Sequence, residues 1–208
     1  MAYSEFTLDR IIEDFGIDLI ESQDYFADRP AIAPPDWLAQ FLQINTPIAV
    51  AINTEKARSE MIIAPILLAL KHWFNDQISL FSGNEFNVDF ELGLTGRVDF
   101  LISQSSEQLW IKAPVLTIVE AKNENLNAGL GQCIAELIAA DRFNRQRGNP
   151  RSPLYGLVTT GSLWKFLEFR GDQVMIDLRE YAIEPLDRLF GILVSCVEAK
   201  SSEAGLAH

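Results

Sequence analysis

Residues 115–120 read VLTIVE, and four of these six side chains are β-branched. A run of this kind suits a strand covered on both faces, inside a sheet with other structure above and below it. A chain that contains such a strand needs enough apolar surface to bury it twice. With 208 residues, 48% of them hydrophobic, this one can fill one full core and add at most a small appendage. One domain over residues 1–208 is the expectation.

Periodicity sets out the elements around that run. Leu8, Ile11, Ile12 and Phe15 fall at helical spacing ahead of Gly16, with acids on the other side. After Pro30, Pro34 and Pro35, Asp36 can cap a short helix that begins at Trp37. A connection around Thr46 and Pro47 is expected to lead to a long apolar helix over about 54–74. From Gln77 the period becomes that of strands, at 78–81, 85–92 and 96–103, with Gly83 and Gly93 between them. Residues 126–145 return to helical spacing, with Leu130, Ile134, Leu137, Ile138 and Phe143 near one face. Strands at 154–159, 163–169 and 173–178 follow, then a helix over 184–199. The fold class expected is α/β, a central mixed sheet flanked by helices. An acidic helical extension (1–50) precedes the core (51–180), and a C-terminal helix and tail (181–208) follow it.

Composition narrows the chemistry. The two cysteines, Cys133 and Cys196, lack metal-ligand spacing and read as small core residues. His72 and the terminal His208 are the only histidines, which removes most Ser-His-Asp and Cys-His arrangements and any multi-histidine metal site. Chemistry must rest on carboxylates, lysine and amides. The longest apolar run, residues 61–70, is well short of the ~20 residues that cross a bilayer and contains Pro65. No membrane span is expected, and the start of the chain lacks the pattern of a secretory signal, so the cytoplasm is the expected location. The net charge of −12 opposes a chain-wide footprint for nucleic acid. Residues 1–36 carry −7 of it, nine acids against Arg10 and Arg29. Arg142, Arg145, Arg147 and Arg151 form the one strongly basic segment.

In GRVDFLIS, Asp99 stands between Val98 and Phe100, so a strand turns those two one way and Asp99 the other. The run at 115–120 ends in IVEAKN, where Glu120 and Lys122 share a face if the strand continues. An antiparallel hairpin centred near Leu109 and Trp110 sets Asp99 opposite Glu120. Two adjacent carboxylates repel unless one is protonated or a cation lies between them. Mg²⁺, with Mn²⁺ as substitute, takes such hard oxygen ligands and keeps several waters, and the backbone carbonyl of Ala121 is a further oxygen within reach. Such an ion orients a phosphate, stabilises charge on it and acidifies a bound water. Lys122 would assist deprotonation of that water or neutralise charge. Read without a metal, Asp99 caps a strand end and Glu120 with Lys122 is a surface ion pair.

The sequence G-R-V-D-F-L-I, followed by T-I-V-E-A-K-N and a helix bearing Gln132, resembles the PD-(D/E)XK nuclease superfamily over roughly residues 60–169. The resemblance implies a restriction-endonuclease-like core in which Asp99 and Glu120 bind metal and Lys122 is catalytic. It also implies a place in the site for Gln132, and one for Glu60 in the helix before the sheet. Glu60 could instead pair with Lys56 on the solvent side, and Glu55 is the second choice for the helix acid. The family's Pro before the aspartate is Val98 here. The segment TTGSLWKFLEF resembles the strand pair after the motif helix, with Trp164 and Phe166 as core.

The function implied is metal-dependent hydrolysis of phosphodiester bonds in nucleic acid, with DNA the expected substrate and a homodimer a plausible assembly. The arginine cluster is expected either to grip phosphates or to complement the end of its own helix. Asn123, Glu124, Asn125 and Asn127 are expected to make turn and cap contacts. A competing reading keeps the fold as a protein-binding or assembly module of weak or no activity, docking a partner through the acidic N-terminal region. A third, a carboxylate hydrolase of small molecules, rests on the same residues.

Overall fold

A computed structural model describes residues 2–198. The chain opens with a 3₁₀ turn (Tyr3–Glu5) and α1 (Leu8–Phe15), which Thr7 caps by accepting the Arg10 N–H and Gly16 ends at φ +65°. Next come β1 (Asp18–Ser22), α2 (Asp36–Ile52) and α3 (Glu55–Arg58). A π-helical turn (Ser59–Ile63) joins α3 to α4 (Ala64–Trp73). The strands β2 (Ser79–Glu85), β3 (Arg97–Ser103) and β4 (Val115–Ala121) lead to a 3₁₀ turn (Leu126–Gly129) and α5 (Leu130–Gln146). Last are β5 (Leu154–Thr159), β6 (Leu163–Arg170), β7 (Gln173–Asp177), the short β8 (Tyr181–Ala182) and α6 (Leu186–Glu198).

The strands form one mixed sheet in the order β1-β7-β6-β5-β4-β3-β2, with β8 beside β6. β4 pairs with β5 in parallel across the α5 crossover, and β1 pairs with β7 in parallel; the other pairs are antiparallel. All seven residues of β4 and all six of β5 are buried, as the β-branched run requires. One core lies between the sheet and α2, α4 and α6; the other lies between the sheet and α5, with α1 packed on α5. Cys133, Cys196, Trp164 and Phe166 are core residues, as expected.

Several elements depart from the sequence expectation. Pro47 does not end a helix: α2 runs through it, and Pro47 is exposed, so its missing N–H falls on the wet side. The long helix expected over 54–74 is broken by the π turn. Of the strands expected at 78–81 and 85–92 only β2 forms, and residues 86–92 make a loop closed by an Asp89–Leu94 bridge. The first fifty residues are more than a helical extension, because β1 joins the sheet edge. That strand is only partly buried, which leaves little apolar alternation to read. The last helix is described as far as Glu198, and its expected end at 199 lies outside the described residues.

One buried amide fastens the central layers. Asn144, in the last turn of α5, accepts the Val115 N–H (2.7 Å) and donates to the Val115 carbonyl (2.9 Å), so the end of α5 is tied to the start of β4. At the other end of α5, a Cβ on Gly131 would come within 2.4 Å of the Phe6 carbonyl oxygen, so only glycine lets the N-terminal segment lie this close. Asn144→Ala should leave buried backbone groups unpaired and cost about 2–4 kcal/mol. Differential scanning calorimetry should then show a fall in Tm of roughly 5–15 °C for a chain of this size. A change under about 2 °C would mean that this clamp contributes little.

Candidate metal centre

The hairpin register brings the two carboxylates together. Phe100 pairs with Val119 and Leu101 with Ile118, so the next step outward sets Asp99 opposite Glu120. Asp99 accepts the Ala121 N–H at 2.8 Å, which takes one of its oxygens. Lys122 continues the line of β4, since its own N–H donates to the Thr159 carbonyl at 2.8 Å. Its side chain returns beside Glu120, donating to Oε1 and, at 3.3 Å, to Gln132 Oε1. The three residues stand at the carboxyl end of a central strand, just before a helical crossover, where α/β sheets commonly open onto ligands.

The approach of α5 to this end depends on Gly129. A Cβ there would meet Val158 Cγ1 at 2.7 Å and Lys122 Cε at 3.1 Å, so the lysine stem passes directly beneath the turn. Gln132 and Glu136 follow on one face of α5, one turn apart. Gln132 Nε2 donates to Glu136 Oε1 at 3.1 Å, which completes a chain from Glu120 through Lys122 and Gln132 to Glu136. The sequence reading missed Glu136. Its signal was the surrounding run AELIAA together with its four-residue spacing from Gln132; a helical acid flanked by apolar residues has no routine place on a solvent face.

An open cleft of about 240 Å³ lies at this end of the sheet, with Asp99 and Ala121 on one side and Glu55, Ser59 and Glu60 on another. Glu60 does not reach the carboxylate pair. It holds Lys56 at 2.7 Å, and its side chain is 58% exposed, so it takes the i,i+4 solvent position. The electrostatic influence on Glu120 and Lys122 from this helix comes from Glu55. The i,i+4 pair with Lys56 is the position that regular helical geometry gives Glu60, and the π turn begins only one residue before it.

The arginine cluster lies elsewhere. Arg145 follows Gln132 by thirteen residues of α5, about 20 Å along the axis. Arg142 pairs with Asp89 at 3.1 Å and Arg145 with Asp141 at 2.7 Å. Arg147 lies 5.3 Å from the Phe143 ring centroid, and Arg151 reaches Gln104 Oε1 at 3.5 Å. Arg142 and Arg145 are thus paired with acids, whereas these contacts set Arg147 against a ring and Arg151 beside a neutral amide. Asn125 caps the 3₁₀ turn by accepting the Asn127 N–H at 3.0 Å, and Asn127 accepts from the buried Lys165 at 2.9 Å.

The site holds more negative charge than its lysine neutralises. Burial, with the Asp99 charge added, pushes the Glu120 carboxyl up to about 8, although Lys122 works against the shift. Burial raises Asp99 as well, opposed by the Ala121 N–H, by Lys122 and by a hydrogen bond with Glu120. Burial disfavours the Lys122 charge, but the Glu120 carboxylate outweighs it and raises the lysine. Glu136 is raised well above the usual range by burial and by Glu120, against the Gln132 hydrogen bond.

These residues fit a hard divalent cation. Glu120 Oε2 is buried without a hydrogen-bond partner, and the Asp99 carboxyl stands opposite Glu120 on the neighbouring strand. Among the described residues no three His, Cys, Asp or Glu converge to hold an ion unaided. The available donor set is Asp99, Glu120 and the Ala121 carbonyl, a small set of the kind that suits an ion retaining several waters. Among the described residues no helix is long and apolar enough to cross a membrane. Comparisons of the chain with protein-family models, curated proteins and solved structures find no match.

Glu136 supplies a pH signature. Its folded-state affinity for a proton is raised above the unfolded value of about 4.5, so its stabilising contribution is full below that pH and is lost as pH rises toward the folded value. Over that window one such group contributes a slope of up to about 1.4 kcal/mol per pH unit. Glu136→Gln keeps an acceptor for Gln132 and removes the proton. Urea unfolding between about pH 5 and 8 should therefore show a flatter stability profile for the variant, and an unchanged slope would remove Glu136 as its source.

Proposed function

We propose that this chain is a divalent-metal-dependent nuclease with a restriction-endonuclease-like core, hydrolysing phosphodiester bonds in DNA. One observation carries the proposal: Asp99 and Glu120 face each other across β3 and β4 with Lys122 beside them, and Asp99 and Ala121 line a cleft at the carboxyl end of the central strand. The surplus of buried carboxylate supports a cation, and a phosphate is a natural further ligand for a cation held by so few protein groups.

Asp99, Glu120 and the Ala121 carbonyl would hold Mg²⁺ or Mn²⁺, which when bound supplies charge for the phosphate and a more acidic water. The protein's own contribution is positioning. The Ala121 N–H fixes the Asp99 carboxylate, and the Lys122 ammonium, held by Glu120 and Gln132, presents a positive charge to a phosphate oxygen as negative charge builds there. Water attacks phosphorus in line and gives up a proton to solvent, the opposite P–O bond breaks, and the departing oxygen takes a proton from solvent, so that one P–O bond and one proton are exchanged. Between the two tasks open to Lys122, its charged partners favour neutralisation over proton abstraction.

A non-catalytic assembly role is the second reading, and one observation favours it: the arginines are bound up in intramolecular contacts on a chain of net charge −12. Wild type, Asp99→Ala and Lys122→Ala should be incubated with linear, nicked and branched DNA and with RNA, in Mg²⁺ or Mn²⁺. Cleavage by wild type and a loss of at least ~100-fold in both variants is the expected result, given what single electrostatic contacts to a transition state contribute. No cut substrate, or equal cutting by Asp99→Ala, would overturn the nuclease reading. Calorimetric titration with Mn²⁺ should show binding to wild type that Asp99→Ala weakens; a protein that binds no Mn²⁺ leaves the assembly reading.

A further inference from the structure

The helix α2 carries an apolar face that nothing among the described residues covers. Leu38, Leu42 and Ala49 turn into the core, yet Trp37, Phe41, Ile44, Ile48 and Ile52 recur at helical spacing on a second face and are all exposed. Leu68 of α4 extends this face: α4 packs against α2, Trp37 lies 6.5 Å from the His72 ring, and Leu68 is one turn before His72. No charged residue falls between Asp36 and Glu55, in a chain where 22% of residues are charged. Isolated exposed apolar side chains need no explanation, but a contiguous stripe of six does.

We propose that this face is the interface of a two-fold homodimer in which α2 packs antiparallel against α2 of a second copy. The area supports a protein of this size as occupant: the six side chains expose on the order of 600 Å², and the polar rim brings each side near the ~800 Å² of a standard interface. Residues 199–208 offer one large apolar side chain, Leu206, far too little to cover the stripe.

The layout is also self-complementary. Residue 44 is the midpoint of α2, and Ile44 is the most exposed member of the stripe at 66%, so a dyad through it sets Ile44 against Ile44 with Phe41 and Ile48 to either side. The 17-residue helix is about 25 Å long, and Asp36 stands at one end while the exposed Lys56 follows the other. An antiparallel pair brings each Asp36 toward Lys56 of the second copy. A chain of net charge −12 repels its copy, and an uncharged helix is the surface across which that repulsion is least.

Sedimentation equilibrium of the full chain from about 1 to 100 µM should give twice the 23.4 kDa chain mass, with association tighter at about 0.5 M than at 0.15 M NaCl. Ile44→Glu combined with Ile48→Glu should weaken association at least ~100-fold while leaving the circular dichroism spectrum unchanged, because both side chains are already exposed. Ile44→Cys should crosslink to a dimer on oxidation, whereas Leu109→Cys, at a position 91% exposed in the β3–β4 loop, should not. A wild type that stays monomeric to the top of that concentration range overturns the proposal, whatever else the face then proves to bind. So does a double variant that still dimerises, or an Ile44→Cys variant that crosslinks no better than the Leu109→Cys variant.

Discussion

β4 has no solvent-facing side, and most of the architecture follows from keeping it that way. Its alternate residues supply both cores: Val119 and Ala121 belong to the layer with α2, α4 and α6, while Val115 and Ile118 belong to the layer with α5. Parallel pairing with β5 requires a crossover, and that crossover is α5, which covers one of the faces. The polar groups emerge where this cover stops. Glu120 is the last acid still held inside, and Lys122 is the first side chain with a way out. The candidate site is therefore a boundary effect of burial, a carboxylate kept dry next to a cleft that is wet.

Burial also explains why so little positive charge suffices. Lys122 is one cation amid Asp99, Glu120 and Glu136, yet its contacts form at the dry end of a sheet, where each charge counts for more than on the surface. The four arginines are more numerous and do less for this region, because they lie toward and beyond the far end of α5 and two of them are paired with acids there. Net charge summed along the chain thus says little about the potential at the cleft.

The parts of this arrangement legible in the sequence are those where neighbours along the chain decide the outcome. The opposition of Asp99 and Glu120 followed from counting inward along two strands to a hairpin centre, and the observed register agrees. The dry β4 and β5, the span of α5 and the strands after it follow from continuous or periodic burial. What stayed hidden depends on tertiary partners. β1 is a strand only because β7 lies beside it, and α2 continues through Pro47 because the lost hydrogen bond faces water. Glu60 takes the solvent position beside Lys56, a choice between two sides of one helix that spacing alone does not make. Glu136 is not legible from its neighbours in sequence because its raised proton affinity comes first from burial and then from Glu120, both set by tertiary packing.

The pairing of β1 with β7 bears on how the protein is made. Leu19 lies against Val174, so β1 leaves a ribosome more than 150 residues before its partner exists. The hairpin, the crossover and β5 span only residues 97–159 and can associate well before that. The order of assembly therefore runs against the order along the chain: the centre of the sheet can close first, and the N-terminal segment docks last onto an edge already built.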